Sequence, residues 1–376
     1  MNILIIPDSF KGSLTATQVA RVMKAALEKI LPSSHPVLMP FSDGGEGALT
    51  VLQNSTKGKV VHCTASDALG RPISAPYFLF NDQKSAWVEL SQTAGLSQLK
   101  EEELNPLITS TRGTGKMILE LLDQNIKKIY LGIGGSATQD LGTGILSELG
   151  IRFLDENGKL LPQGGGELYR LAKIDRSYLN KKALDTDWII ACDVQNPLVG
   201  KMGTAHTYAK QKGATKRDIE QLEKGAMRFV EVVQNQFQVN LNTLKGGGAA
   251  GGVSAGLSAL LDAKLVGGFE LLAASTGLKQ KLPTFDLILT GEGRFDEQSL
   301  HGKLPIQVAS LALEMKIPTF IFTGNTSMEK ITNYPNCTLV NITPKSMSLN
   351  SALLHAEKNL FNAVLNTLEN FKSKSL

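Results

Sequence analysis

The sequence predicts an α/β fold: a parallel-sheet, Rossmann-like or flavodoxin-like domain with a second α/β domain inserted in it. Three observations carry that prediction. Short runs rich in Ile, Val and Leu recur along the 376 residues, and continuous apolar runs of that length fit strands covered on both faces. Each run is followed by a polar, glycine-rich turn and then a helical pattern, the repetition that builds a parallel sheet. One stretch, 60–99, breaks the pattern with short strands and turns and no good helix, as an inserted piece would.

Taken in order, the strands are expected at 2–6, about 36–39, 128–133, 188–192, 286–290, 318–322 and 338–342. Helical periodicity follows in 15–31, 114–125, 216–236, 303–315 and 351–372. The last carries Leu353, Leu354, Leu360, Val364 and Leu368, which read as core. The first strand should pair with strands of the C-terminal third. The Rossmann-like domain is therefore expected at 1–64 and 262–376, and the inserted domain at 65–261.

Composition narrows the function. Hydrophobic residues are 42% and charged residues 20%, a balance that excludes a largely disordered chain. No apolar run reaches the ~18 residues of a membrane span, and the first residues lack the basic flank and cleavage site of a signal peptide. The net charge is 39 − 35 = +4, with bases and acids interspersed, which argues against nucleic acid as a partner. Cys63, Cys192 and Cys337 are too scattered for a disulfide scaffold or a paired metal site, so a cytoplasmic protein is expected. The histidines contain no i, i+3 or i+4 pair, so a His-based zinc site is not expected. Glycine is in excess at 36 residues and clustered. The run 246–252 fits close packing and a binding loop equally, whereas 164–166 reads as a turn.

Ligands of an open parallel sheet bind beyond the carboxyl ends of its strands. Six segments follow predicted strands: 7–15, 42–47, 134–140, 193–198, 291–296 and 323–325. Five of them carry a carboxylate, and most carry adjacent glycines. Such a convergence of acids is costly unless a cation offsets it. Magnesium takes one or two carboxylates plus phosphate oxygens, and glycine-rich turns before helices let backbone amides face phosphate. With Lys11 and Arg294 to meet developing charge, the set reads as phosphoryl transfer. Each member also has a plainer role: an Asp after a strand is often a turn former or helix cap, and Asp296 can simply pair with Arg294.

No Walker A loop is present. A rival motif is: Gly132-Ile133-Gly134-Gly135-Ser136-Ala137 fits G-x-G-x-x-A, with Asp155 at ribose-holding distance. It would make the protein an NAD-dependent oxidoreductase of small hydroxy acids. Gly142 and Gly144 count against it, because they fall where the dinucleotide-binding helix should be well formed.

Several strings, in order, resemble the signature segments of the bacterial type I glycerate kinases (glycerate 2-kinase). They are Pro7-Asp8-Ser9-Phe10-Lys11-Gly12-Ser13, Ser42-Asp43-Gly44-Gly45-Glu46-Gly47, Gly132 to Thr138, Cys192 to Leu198 and Thr290 to Asp296. Arg112 to Gly115 and Gly248 to Gly252 belong with them, so the resemblance runs to about residue 325. It implies a two-domain α/β kinase with its active site in the interdomain cleft and with ATP and Mg²⁺ as co-substrates. It also implies D-glycerate as acceptor, usually phosphorylated at the 2-hydroxyl to give 2-phosphoglycerate; transfer to the 3-hydroxyl is the alternative.

On that reading Asp193 is the first choice to accept or orient the hydroxyl proton and Asp8 the second. Lys11 and Arg294 would hold the substrate carboxylate. Gly134, Gly135 and Ser136 are the candidate phosphate cradle, with Ser9 and Asn196 as further substrate- or phosphate-binding groups. Asp43, Glu46 and Asp296 are candidates to hold Mg²⁺. A homodimer is left open. A non-enzymatic sensor of a sugar acid is the remaining alternative, disfavoured because no helix-turn-helix or basic face is evident. The chain departs from the family pattern at Gln139 and Leu141, where Asn and Gly are common, and at Arg112 and Lys116, where neutral or acidic residues are usual.

Overall fold

The computed structural model describes residues 1–42, 45, 47–328, 331–344 and 346–375. Its strands are β1 Asn2–Ile5, β2 His35–Leu38, β3 Gly58–Ser66, β4 Pro72–Phe80, β5 Ser85–Glu89, β6 Lys128–Gly132 and β7 Arg152–Leu154. They continue as β8 Lys173–Asp175, β9 Asp187–Ala191, β10 Lys264–Val266, β11 Leu287–Phe295, β12 Thr319–Thr326 and β13 Cys337–Asn341. The chain forms two compact units, Met1–Asp43 with Leu272–Leu376, and Gly44–Leu271.

The smaller unit holds a five-stranded sheet in the order β13-β12-β11-β1-β2, parallel throughout. Counting only this unit's strands, the order is 2-1-3-4-5, the flavodoxin-like arrangement, whose switch point lies between β1 and β11. The strands read as continuous apolar runs because both faces are covered. Ile3, Ile5, Leu287, Leu289, Phe320 and Phe322 pack with Val19, Met23 and Leu27 of helix Ala16–Ile30 and with Leu360, Val364 and Leu368 of helix Ala356–Ser375. On the other face, Ile321 packs with Ile306 and Ala309 of helix Leu304–Glu314. Helix Ala16–Ile30 starts where the sequence sets it: Thr15 and Gln18 form a capping box, which satisfies two of the orphan amides of a helix start.

The larger unit holds a six-stranded sheet in the order β10-β9-β6-β5-β4-β3. β5, β6, β9 and β10 are mutually parallel, whereas β3 and β4 form an antiparallel edge. Its core joins Val88, Ile129, Leu131 and Ile190 to helices Arg112–Asp123, Thr143–Glu148, Lys216–Phe237 and Ala249–Leu261.

The divide falls at 43/44 and 271/272; the second boundary lies close to the expected 262, whereas the first comes well before the expected 65. Residues 58–66 pair along their length with 72–80, which ties them to the larger unit. The C-terminal pattern is also not one helix. It breaks at His355, whose φ of −105° and ψ of 14° end the helix Leu349–Leu354, so the apolar stripe loses its phase. Leu360, Val364 and Leu368 are fully buried, while Leu354 is 83% exposed.

Candidate functional site

In the smaller unit the switch point gathers two segments distant in sequence. Beyond β1 the chain stays beside β11: the Ile6 amide donates to Leu289 O at 2.8 Å and the Asp8 amide to Gly291 O at 2.9 Å. The Thr290 hydroxyl donates to Ile6 O at 2.6 Å. Residues 10–14 then make a tight loop, with the Phe10 amide donating to Leu14 O at 2.8 Å and with Gly12 left-handed at φ +81°. A methyl on Gly293 would lie 3.1 Å from the Lys11 nitrogen, so the two segments run in close contact. Asp8, Ser9 and Lys11 are therefore neighbours of 291–296. Lys11 and Arg294 are both exposed.

β11 continues to Phe295 and pairs with β12 as far as Thr326, so 291–295 is strand rather than the expected turn. This places Glu292, which lies within the string Thr290 to Asp296 but has no role assigned from sequence, on a strand. It is 4% exposed. Burial pushes its carboxyl up to about 6, against the pull of Lys303, and the charge of Asp8 raises it further. Lys303 Nζ lies 3.4 Å from either carboxylate oxygen. The signal for it was present in the sequence, an acid flanked by Gly291 and Gly293 at the end of an apolar run. Asp296 does what the plainer reading allowed. It caps the turn 297–301, accepting from the Ser299 amide at 3.2 Å, and its Oδ2 lies 3.1 Å from Arg294 Nε. Partial burial opposes its charge, but the Ser299 amide, Lys303 and Arg294 together hold it below the usual carboxylate range. Asp43 and Glu46 lie outside the described residues. Among the described residues no group of three or more His, Cys, Asp or Glu is placed to hold a metal ion.

In the larger unit the adjacent parallel strands β6 and β9 present 133–142 and 192–203. After β6 no helix begins until Thr143, so Gly132 to Ala137 does not form a dinucleotide-binding turn. Asp155 is occupied by the Asn157 and Lys159 amides, each at 2.9 Å, and by Arg170 at 2.9 Å. The loop is instead pinned as an open turn. The Leu96 amide donates to Gly135 O at 2.8 Å and the Ala137 amide to Ala94 O at 2.7 Å, and Gly135 is left-handed at φ +73°. Among the described residues, none accepts a hydrogen bond from the Gly134 or Gly135 amide or from the Ser136 hydroxyl. Successive unspent amides around a left-handed glycine form an anion-binding concavity.

Behind this loop lies a residue the sequence reading missed. Lys212 is 1% exposed, and its Nζ donates to Ser136 Oγ at 2.8 Å and to Thr138 O at 2.6 Å. Burial pushes its ammonium down to about 7, with the Asp140 charge opposing. Asp140, fully buried, accepts from the Thr111 amide at 2.8 Å, the Thr111 hydroxyl at 2.9 Å, and the Gly142 and Gly144 amides at 3.2 Å each. Burial raises its carboxyl and these donors pull it back. Nothing in the local sequence marks Lys212, since it sits among other lysines in a surface-like segment.

Glycine clusters support the same loop. Methyls on Gly251, Gly252 and Gly256 would overlap Thr138 and Leu141, one on Gly248 would overlap Pro197, and one on Gly165 would overlap Gln139. The run 246–252 is thus close packing. Leu141, where the family commonly has glycine, is left-handed at φ +55°, a conformation costing a branched side chain roughly 1–2 kcal/mol. Gln139 reaches Thr204 Oγ1 at 3.1 Å. Arg112 pairs with Glu148 at the surface.

Asp193 follows β9 and is exposed. Its Oδ1 accepts from the Gly268 amide at 2.9 Å, at the start of helix Gly268–Thr276. Both ends of the Asn196 side chain hold its own loop: Tyr208 donates to Oδ1 at 2.7 Å, and Nδ2 donates to Met202 O at 3.0 Å. Cys192 is half-buried, and burial pushes its thiol up to about 11; Cys63, Cys192 and Cys337 are all free. Among the described residues no helix is long and apolar enough to cross a membrane.

An α/β chain with an acid–cation cluster at one switch point and an open glycine turn backed by a buried ammonium matches the kinases in both fold and sequence. A crystal structure assigned as glycerate kinase 2 from Salmonella typhimurium LT2 is similar over 100% of this chain and 99% of its own, with a TM-score of 0.82 and 36% identity. The family model described as glycerate kinase family matches residues 3–372. The chain is 38% identical to the glycerate kinase of Halalkalibacterium halodurans over 97% of its length and 96% of the relative's. It is 38% identical to the glycerate 2-kinase of Escherichia coli K12 over 86% and 85%. The chain belongs to the glycerate kinase family, and it is a phosphotransferase.

Proposed function

We propose that the protein transfers the γ-phosphoryl group of ATP, with Mg²⁺, to D-glycerate at the 2-hydroxyl, giving 2-phosphoglycerate. One observation supports this most. In each unit, the segments that resemble the glycerate kinase signatures stand at the carboxyl ends of adjacent parallel strands, β1 with β11 and β6 with β9. The relative from Escherichia coli, named a glycerate 2-kinase, favours the 2-hydroxyl.

Phosphoryl transfer asks the protein for positioning and charge neutralisation more than for covalent chemistry. The Gly134 and Gly135 amides and the Ser136 hydroxyl would take phosphate oxygens. Lys11 and Arg294 would meet the glycerate carboxylate; both extend into solvent from an otherwise ordered edge. Asp193 would orient the attacking hydroxyl, with Asp8 the second choice. Mg²⁺ would neutralise charge on the transferring group. Asp8, whose charge raises the Glu292 carboxyl, and Asp296 would be candidates to hold it with Glu292; Glu292 and Asp296 each also carry a basic partner, Lys303 and Arg294. The protein would work in the cytoplasm on small molecules alone.

The test is to incubate the purified protein with ATP, Mg²⁺ and D-glycerate, follow ADP, and take the phosphorus NMR spectrum of the product. ADP release no greater than without glycerate would overturn the proposal. A 3-phosphoglycerate resonance would overturn the regiochemistry alone.

A further inference from the structure

Lys212 presents a problem in electrostatics that the loop after β6 resolves. Its backbone is fixed: its amide donates to Ala209 O at 3.0 Å, and the next residue, Gly213, is left-handed at φ +94°, with the Leu104 carbonyl where a side chain would go. From there its stem runs inward, and the ammonium ends against Ser136 Oγ and Thr138 O. A buried ammonium costs several kcal/mol of lost hydration, and an apolar residue of similar size would fill the same space without that cost. Asp140 is the charge that acts on it, but the hydrogen-bond donors to the Asp140 carboxylate are hydroxyls and amides, not the lysine. The ammonium is aimed at a hydroxyl and a carbonyl.

That aim has a consequence for Ser136. A serine oxygen offers one hydrogen and two lone pairs. As an ammonium Lys212 has only hydrogens to give, so in that form the Ser136 oxygen accepts from it and the serine's own hydrogen points elsewhere. Among the described residues no group accepts that hydrogen. Neighbouring Gly134 and Gly135 amides are likewise unspent.

The geometry points to Lys212 as a positioning residue: its buried ammonium holds the Ser136 oxygen as an acceptor, so that the Ser136 hydrogen is presented to an anionic oxygen of a bound substrate. This deepens the reading of 134–136 as an anion cradle and rests on it. The oxygen belongs to a phosphate of ATP or to the carboxylate of glycerate, and the kinetics separate the two.

The experiment compares wild type, Ser136→Ala, Lys212→Met and the double variant, measuring kcat and the KM for ATP and for D-glycerate. A hydrogen bond to an anion is worth roughly ten- to a hundred-fold, so each single variant is expected to lose about that much in kcat/KM. The double variant is expected to stay within about two-fold of Ser136→Ala, because Lys212 acts through Ser136. A rise in one KM only identifies which anion the hydroxyl meets. Two results overturn the proposal: Ser136→Ala retaining kcat/KM within about two-fold of wild type, or single losses that multiply in the double variant. Should Lys212→Met fail to fold, Lys212→Gln serves, since its amide retains a donor for Ser136 Oγ. It is expected to recover part of the loss, and complete loss in a folded Lys212→Gln also counts against the proposal. Wild-type inactivity toward glycerate would sink the functional reading by itself. Titration of the same variants with MgATP would then still read the Lys212–Ser136 coupling.

Discussion

Replacing Glu292 by Gln tests how the switch-point edge stores charge. Glu292 is 4% exposed, and burial pushes its carboxyl from the ordinary 4.5 to about 6. At 1.36 kcal/mol per tenfold change in proton affinity, that displacement costs the folded state about 2 kcal/mol once the group is ionised. The sign follows from proton counting. Between about pH 4.5 and 6 the folded chain holds the proton that the unfolded chain has released. The contribution of this site to stability is therefore complete below about pH 4.5 and lost as the pH rises through 6. Glutamine keeps the shape and does not titrate. Urea unfolding of both proteins at about pH 4.5 and 7.5, followed by circular dichroism and by amide exchange in β11 to isolate the smaller unit, gives the comparison. The stability of Glu292→Gln relative to wild type should rise by about 2 kcal/mol between the two pH values, since all other acids cancel. Parallel profiles, agreeing within about 0.5 kcal/mol, would refute the reasoning and mean that Lys303, 3.4 Å away, offsets burial fully.

Asp193→Asn should lower turnover by roughly 10²–10⁴-fold with an unchanged melting temperature, because the amide oxygen can still accept from the Gly268 amide; near-normal turnover would move the proton-accepting role to Asp8. Gly251→Ala should destabilise by at least about 2 kcal/mol, as the position is left-handed at φ +68° and a methyl overlaps the Thr138 carbonyl; differential scanning calorimetry measures it. Leu360→Ala should cost about 2–5 kcal/mol while Leu354→Ala stays within about 0.5, since the first is fully buried and the second 83% exposed; equal losses in chemical denaturation would show the two helices packing as one.

Most of the fold was legible because burial on both sheet faces leaves an unbroken apolar signature. All seven strand positions named from sequence coincide with β1, β2, β6, β9, β11, β12 and β13 to within a residue at the start of each strand. Two of them, 286–290 and 318–322, were cut short where glycines suggested turns; their mutual pairing carries β11 on to Phe295 and β12 to Thr326. Local composition could not reveal that, since the neighbour that holds 291–295 extended lies some thirty residues further along. The acids at strand ends were equally legible, but their occupations were not. Asp296 caps a turn and Asn196 ties a loop, and each depends on a partner whose approach is set by tertiary packing. Lys212 was invisible for the opposite reason: a lysine is read as solvated by default, and only the packing of distant segments around it buries it.

The extended end of β11 also fixes how this enzyme can vary in length. Glu292 stands between Gly291 and Gly293, and side chains on a strand alternate sides. Adding or removing one residue between Leu287 and Gly291 would turn the carboxylate to the opposite side and leave a bare hydrogen in its place. Insertions and deletions among descendants of this chain should therefore be absent from that stretch, even where the identities of its hydrophobic residues drift freely.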